Sequence, residues 1–182
     1  MTVVLIILGI VVLAVAGVFA VAAARPNRLR IVRDIAIAAP AERILPLIDD
    51  FRRWADWSPW EKRDPAMTRS FEGSESGVGA AYGWAGNKKI GSGRMEIVER
   101  KPDPVKIKLD FIAPYEAHNL VEFLVTPGAG GSTLTWVMQG PSPLMMRVMG
   151  LFTNVDAMIG RDLEAGLATI KSVVEQKAVG GP

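Results

Sequence analysis

The stretch Leu144–Gln176 reads LMMRVMGLFTNVDAMIGRDLEAGLATIKSVVEQ. Its apolar residues recur in steps of three and four: Leu144, Val148, Leu151/Phe152, Val155, Met158/Ile159, Leu163, Leu167, Ile170 and Val173/Val174. That spacing predicts one apolar stripe along a helix. Arg147, Asn154, Arg161, Lys171 and Glu175 fall largely elsewhere on the wheel. Unbroken, such a helix would run about 50 Å at 1.5 Å per residue and would need an equally long apolar surface to lie on. Gly150 is a candidate break into a short and a long piece. Gly160 and Gly166 each cost a helix about 1 kcal/mol relative to Ala, so they are expected to allow close approach to whatever the stripe packs on.

The strands that would supply this surface precede it. Leu29–Ala38 alternates Ile31, Ile35 and Ile37 against Val32, Asp34 and Ala36. After Ala39-Pro40 a short helix carries Ile44, Leu45, Leu47 and Ile48, with Pro40 suited to its first position and Pro46 keeping it short. Six strand-like runs then follow: Met67–Glu72, Ala80–Trp84, Gly91–Arg100, Val105–Ile112, Glu116–Thr126 and Ser132–Gln139. In Val105-Lys-Ile107-Lys-Leu109-Asp-Phe111 every second residue is apolar, as in an antiparallel sheet with one wet face. The same alternation puts Tyr82, Trp84, Met95, Ile97, Leu134, Trp136 and Met138 on the inner side. Gly128-Ala-Gly130-Gly131 reads as a hairpin loop.

At the other terminus, Thr2–Ala24 carries no charge and would span about 34 Å as a helix, against a hydrocarbon core of about 30 Å. Arg25, Arg28, Arg30 and Arg33 follow at once, so the positive-inside rule places the N-terminus outside and the main domain in the cytoplasm. The alternative is an exported protein cleaved near Ala24, but a signal peptide normally opens with basic residues and has a shorter apolar core. The expected organisation is an anchor over residues 1–25, one domain over 26–179 and a tail over 180–182.

The chain has 182 residues, 49% of them apolar, a formal charge of +2 and no Cys. This excludes a disulfide framework, a thiol nucleophile and a zinc ribbon. No clustered basic stripe speaks for nucleic acid beyond Arg25 to Arg33. His118 is the only His, so a Ser-His-Asp triad or an imidazole metal site has one candidate. Alternation sets it with Glu116 and Glu122 on the solvent face. Gly77-x-Gly79 precedes a strand, not a helix, and is no dinucleotide loop. Asp156 and Asp162 are expected at the rim. No catalytic residue, cofactor or metal ligand is assigned.

Trp54, Trp57 and Trp60 recur every three residues, either as a plug closing one end of the domain or as the wall of a ligand cavity. Asn119 shares a strand face with Ala117, Val121 and Phe123, where its amide would meet a ligand or a neighbouring strand. The candidate ligand-binding set is Trp54, Trp57, Trp60, Tyr82, Trp84, Met95, Phe111, Asn119, Trp136, Met138, Phe152 and Met158. A curled sheet against one helix encloses an apolar space, on the order of 300–1,000 Å³ in ligand sites generally.

The order of elements resembles the helix-grip fold of the START and birch-pollen-allergen superfamily. It is an α+β fold in which a curved antiparallel sheet of about seven strands wraps a long C-terminal helix, with two short helices after the first strand. Arg33-Asp-Ile-Ala-Ile-Ala-Ala-Pro40, Trp54-Ala-Asp-Trp-Ser-Pro-Trp60, Gly77-Val-Gly-Ala-Ala-Tyr82 with Trp84, Thr133-Leu-Thr-Trp136-Val-Met138 and Asp162-Leu-Glu-Ala-Gly-Leu167 resemble its bacterial polyketide cyclase/dehydrase-like branch, the SRPBCC proteins. The resemblance covers about Leu29 to Lys177. It implies a binding protein for a hydrophobic small molecule or lipid, here membrane-anchored. The alternatives are a cyclase or dehydratase on an apolar or aromatic substrate and a non-catalytic interaction module with a filled core.

Overall fold

A computed structural model describes residues 1–100 and 104–179, of which 177–179 as main chain only. The expected tail, residues 180–182, lies outside them. After α1 (Thr2–Ala24), the chain forms β1 (Arg28–Ile37), α2 (Ala41–Ile48) and a 3₁₀ turn (Phe51–Asp56). There follow β2 (Thr68–Gly73), β3 (Ala80–Ala85), β4 (Ser92–Arg100), β5 (Val105–Ala113), β6 (Ala117–Gly128) and β7 (Gly131–Pro141). α3 (Leu144–Phe152) and α4 (Val155–Val179) close it. Pro40 is the cap of α2, one residue before the position expected for it.

The seven strands make one antiparallel sheet in the order β1-β7-β6-β5-β4-β3-β2. Closing β1 onto β7 brings the first strand beside the last. Register shifts between Ser92 and Gly93 and between Ile97 and Glu99 help bend it. Alternation is clear in β4, β5 and β6 and in most of β7, and fails in β2 and β3: Val105, Ile107, Leu109, Val121, Phe123, Val125, Leu134 and Trp136 are buried against α2 and α4.

α4 lies along β1. Leu163, Leu167, Ile170 and Val174 are its buried stripe. Arg33 on β1 donates to Asp156 at 2.7 Å and Glu164 at 2.6 Å, Lys171 donates to the Ala36 carbonyl at 2.7 Å, and the Ala38 amide donates to Glu175 at 2.8 Å. Gly166 is needed for this approach: a Cβ there would stand 2.8 Å from the Trp136 ring.

The single long stripe expected from the sequence is two helices. The break falls not at Gly150 but at Thr153-Asn154, where Thr153 is extended and the Asn154 side chain accepts from the Ala157 amide at 2.9 Å. An Asn cap of that kind satisfies an orphan donor of the first turn and starts a new helix. α3 leaves the core altogether and has no buried residue. It packs on the C-terminal end of α1, fastened by Arg147 Nη1 donating to the carbonyls of Ala23 at 3.0 Å and Arg25 at 3.1 Å, and by Arg25 Nη1 donating to the Gly150 carbonyl at 2.7 Å.

Candidate ligand-binding site

The twelve candidate residues divide into three groups. Trp54, Trp57, Tyr82, Met95 and Trp136 are buried in the middle of the grip. Trp57 sits 4.7 Å from Trp54, 5.5 Å from Trp136 and 6.1 Å from Phe123, ring centre to ring centre. Trp54 and Trp57 donate their indole N–H groups to the carbonyls of Ile48 at 2.9 Å and Leu47 at 2.7 Å. These rings therefore plug the deep half of the interior, and the hollow expected between sheet and helix is filled there by aromatic contacts. Trp136 Nε1 is buried with no partner among the described residues.

Trp60, Trp84, Phe111, Asn119 and Met138 form the second group. They belong to the same inner surface but are only partly buried. Trp84 meets Phe111 at 5.8 Å and Tyr82 at 6.2 Å, and Trp60 meets Trp136 at 5.7 Å. Asn119 points across the neighbouring strand into space that Gly140 leaves open, its Oδ1 lying 1.8 Å from where a Cβ at 140 would be. Register puts Trp84, Phe111 and Asn119 toward one end of the sheet, that of Leu29, Gly140 and Ala117, with Met138 one step further in beside Ile31 and Val121; Trp60 lies outside the strands, against Trp136. Side chains at the other end, such as Val105, Phe123, Val125 and Leu134, are fully buried. Burial of the inner face is therefore graded, complete at one end and partial at the other.

Phe152 and Met158 are corrections. Phe152 is 76% exposed and Met158 43% exposed, so neither faces the space between sheet and helix. Phe152 belongs to α3, which has swung out of the stripe. Met158 lies beside Ile159, and it is Ile159 that packs on the core. Phe152 instead lines a cavity of about 570 Å³ among the start of β1, α3 and the start of α4, together with Arg25, Arg28, Leu29, Met146 and Arg147. A second cavity of about 470 Å³ lies at the fully buried end between Ala38–Glu42 and Pro127–Ser132.

Sequence reasoning missed Glu61. Its buried carboxylate accepts from Tyr82 Oη at 2.6 Å and from Arg69 Nε at 2.7 Å. Burial, and then the bond to Glu61, push the Tyr82 phenol well above its ordinary range. An acid directly after Trp60 in an aromatic run was the available signal. Asp162 pairs with Arg63 and Asp156 with Arg33, so both rim acids are engaged. No grouping of His, Asp and Glu among the described residues could hold a metal ion.

His118 lies on the outer face, with Nδ1 at 2.7 Å from Asp110 and Nε2 at 3.2 Å from Glu116. The bond to Asp110 outweighs desolvation and raises its pKa above the ordinary imidazole value. A raised imidazole pKa adds stability below the unfolded value and loses it as pH rises through the folded one. His118→Ala should therefore lower the melting temperature near about pH 5 and leave it unchanged near about pH 9. In a nuclear magnetic resonance titration, Asp110→Asn should move the His118 midpoint down.

α1 is long and apolar enough to cross a membrane, and its most apolar window has no buried residue. Among solved structures the chain is similar to protein CV1439 from Chromobacterium violaceum, with 16% identity, a TM-score of 0.55 and 82% of this chain matched to 99% of that one. Protein SA2116 of unknown function from Staphylococcus aureus is similar at 12% identity and a TM-score of 0.59, covering 83% and 96%. The di-domain ARO/CYC StfQ from the steffimycin biosynthetic pathway is similar at 12% identity and a TM-score of 0.59, covering 84% of this chain and 52% of that protein. At such identities these likenesses speak for the fold alone. No curated protein matches the sequence. A family model described as polyketide cyclase / dehydrase and lipid transport matches residues 28–175. That match takes in every strand of the sheet and nearly all of α4, and the chain belongs to this family.

Proposed function

We propose that the protein is a membrane-tethered binder of a hydrophobic small molecule or lipid, taken up at the open end of the grip. The observation that carries this reading is the graded burial of the inner face. Its apolar side chains are sealed at one end and partly exposed at the other, and the exposed end is the one from which α1 leaves. Trp60, Trp84, Phe111, Asn119 and Met138 would line the entrance, with Trp57 and Trp136 as its floor. Asn119 and the unpartnered Trp136 N–H are the polar points that would orient a ligand in an otherwise apolar site. α1 would hold this entrance beside the lipid phase into which apolar ligands partition, with the N-terminus outside and the domain cytoplasmic.

A cyclase or dehydratase would have to draw its acid or base from the same surface. Tyr82 is the nearest candidate, and its hydroxyl already donates to Glu61 at 2.6 Å. This favours binding over catalysis.

The test is mass spectrometry of apolar species that co-purify with the full chain extracted from membranes. One defined class of ligand is expected. Met138→Arg puts a charge into the entrance beside Ile31 and Val121, and in variant protein whose melting shows that it is still folded it should reduce bound ligand by about tenfold or more, a factor equivalent to about 1.4 kcal/mol. No bound species, or equal amounts on Met138→Arg, would count against the proposal.

A further inference from the structure

We infer that the outer stripe of α3 and the tip of the β5–β6 hairpin form a docking face that enters the interfacial layer of a lipid bilayer. This deepens the proposed function and rests on it for the presence of a membrane, but it concerns a separate surface.

Exposed apolar side chains outside α1 are concentrated at one end of the domain. On α3 these are Met145, Met149 and Phe152, at spacings of four and three, which set them on one face of the helix. On the hairpin tip they are Ile112 and Tyr115, exposed by 65% and 84%. An isolated exposed apolar residue needs no explanation, but a cluster of long apolar side chains marks an interaction surface.

The sheet places these segments together. Ser142, just before α3, donates its amide to the Asn27 carbonyl at 2.7 Å, at the exit from α1. Leu120 pairs with Gln139, and continuing that register sets Ala117, at the base of the hairpin tip, level with Ser142. The exit of α1, the start of α3 and the hairpin tip therefore lie along one edge of the domain. The β3–β4 turn joins them, since Gly91 packs directly on the Ala113 carbonyl.

A bilayer is the occupant that both the position and the charge favour. α3 is continuous with α1 through the Arg147 and Arg25 bonds, so a membrane crossed by α1 would begin where α3 lies. Beside the stripe stand Arg28, which has no acidic partner among the described residues, and Arg25 and Arg147, which donate to carbonyls; Lys88 and Lys89, likewise without an acidic partner there, lie in the β3–β4 turn next to the hairpin tip. Of the acids of this edge, Asp156 pairs with Arg33 at 2.7 Å, and Glu116, exposed at the tip, lies 3.2 Å from His118 Nε2 and is paired when that imidazole is protonated. Apolar side chains ringed by unpaired cations are the pattern of a segment lying in the interface of an anionic membrane.

The chain has no Cys, so single cysteines can carry an environment-sensitive fluorophore on the full-length protein. Positions Tyr115, Met149 and Phe152 would be labelled, with Val78 and Val98 as exposed apolar controls away from this edge and Leu13 as a control for α1. The protein is reconstituted into phosphatidylcholine/phosphatidylglycerol vesicles containing lipids that carry a nitroxide quencher either near the headgroup or deep in the chains. Most emission should be lost at Tyr115→Cys, Met149→Cys and Phe152→Cys with the shallow nitroxide, and little at Val78→Cys and Val98→Cys. Labels at 115, 149 and 152 that behave like those at 78 and 98 would overturn the docking face. Shielding of these labels from an aqueous quencher without lipid quenching would point to a protein partner and overturn it too. The Leu13→Cys label reports separately: if the deep nitroxide leaves it unquenched, the span reading fails, whatever the other labels show.

Discussion

Trp57→Ala is expected to destabilise the domain by about 3–5 kcal/mol, the range for removing a large aromatic from a packed core. Trp57 is 1% exposed and touches Trp54, Phe123 and Trp136. Its loss would leave a void among rings fixed by one another, and it would strip the buried Leu47 carbonyl of its donor. Stranding a buried polar group adds about 1–3 kcal/mol where the site cannot admit water. Phe152→Ala removes a residue of similar size and should change stability by less than about 0.5 kcal/mol, as for exposed positions generally. Unfolding of the full chain in detergent, followed by tryptophan fluorescence, compares the two. A mild Trp57→Ala would mean that the deep half is not the plug described.

Gly166→Leu should cost about 2–3 kcal/mol through overpacking. Two effects compete. Replacing a helical Gly gains about 1 kcal/mol from backbone propensity. Against that, the first added carbon would already stand 2.8 Å from the Trp136 ring and 3.3 Å from Pro59, and Trp136 cannot retreat because Trp57 and Phe123 lie behind it. Overpacking wins. Gly160→Ala is the contrast, because the nearest atoms its Cβ would meet all belong to the end of the Arg33 side chain. That guanidinium can swing aside, giving up partly exposed ion pairs worth about 0–1 kcal/mol each. The propensity gain nearly offsets this, and the variant should melt within a few degrees of the parent. If Gly166→Leu were equally harmless, α4 would not be packed on Trp136.

The strands were legible because one wet face forces alternation. Val105-Lys-Ile107-Lys-Leu109 admits no other pairing of faces, and its three apolar residues are buried as expected. α4 was legible for the same reason, its buried residues falling at Leu163, Leu167 and Ile170. α3 was not. Periodicity records that a helix has an apolar face but not what the face lies against, and Val148-Met149-Gly-Leu151-Phe152 continues the stripe of α4 in phase. The Asn154 cap that divides them is a single polar residue inside an apolar run. The candidate site shows the same limit. Alternation assigned Tyr82, Trp84, Met95, Trp136 and Met138 to the inner face, yet it could not tell the fully buried end from the partly exposed one. That distinction depends on which strand ends lie side by side, and hence on pairing across the whole sheet. Glu61 escaped because its partners, Arg69 and Tyr82, come from β2 and β3, and no local pattern joins them.

The central claim is that an apolar molecule enters the grip between Trp84, Phe111 and Met138 at the end nearest α1. Photo-crosslinking the full chain reconstituted into vesicles with a diazirine-bearing lipid, and mapping adducts by peptide mass spectrometry, puts it to the test. Adducts are predicted on the peptides that carry Trp60, Trp84, Phe111, Asn119 and Met138, in addition to α1. Adducts confined to α1 and the outer stripe of α3 would contradict the claim, since they would describe a domain that touches lipid without taking any in.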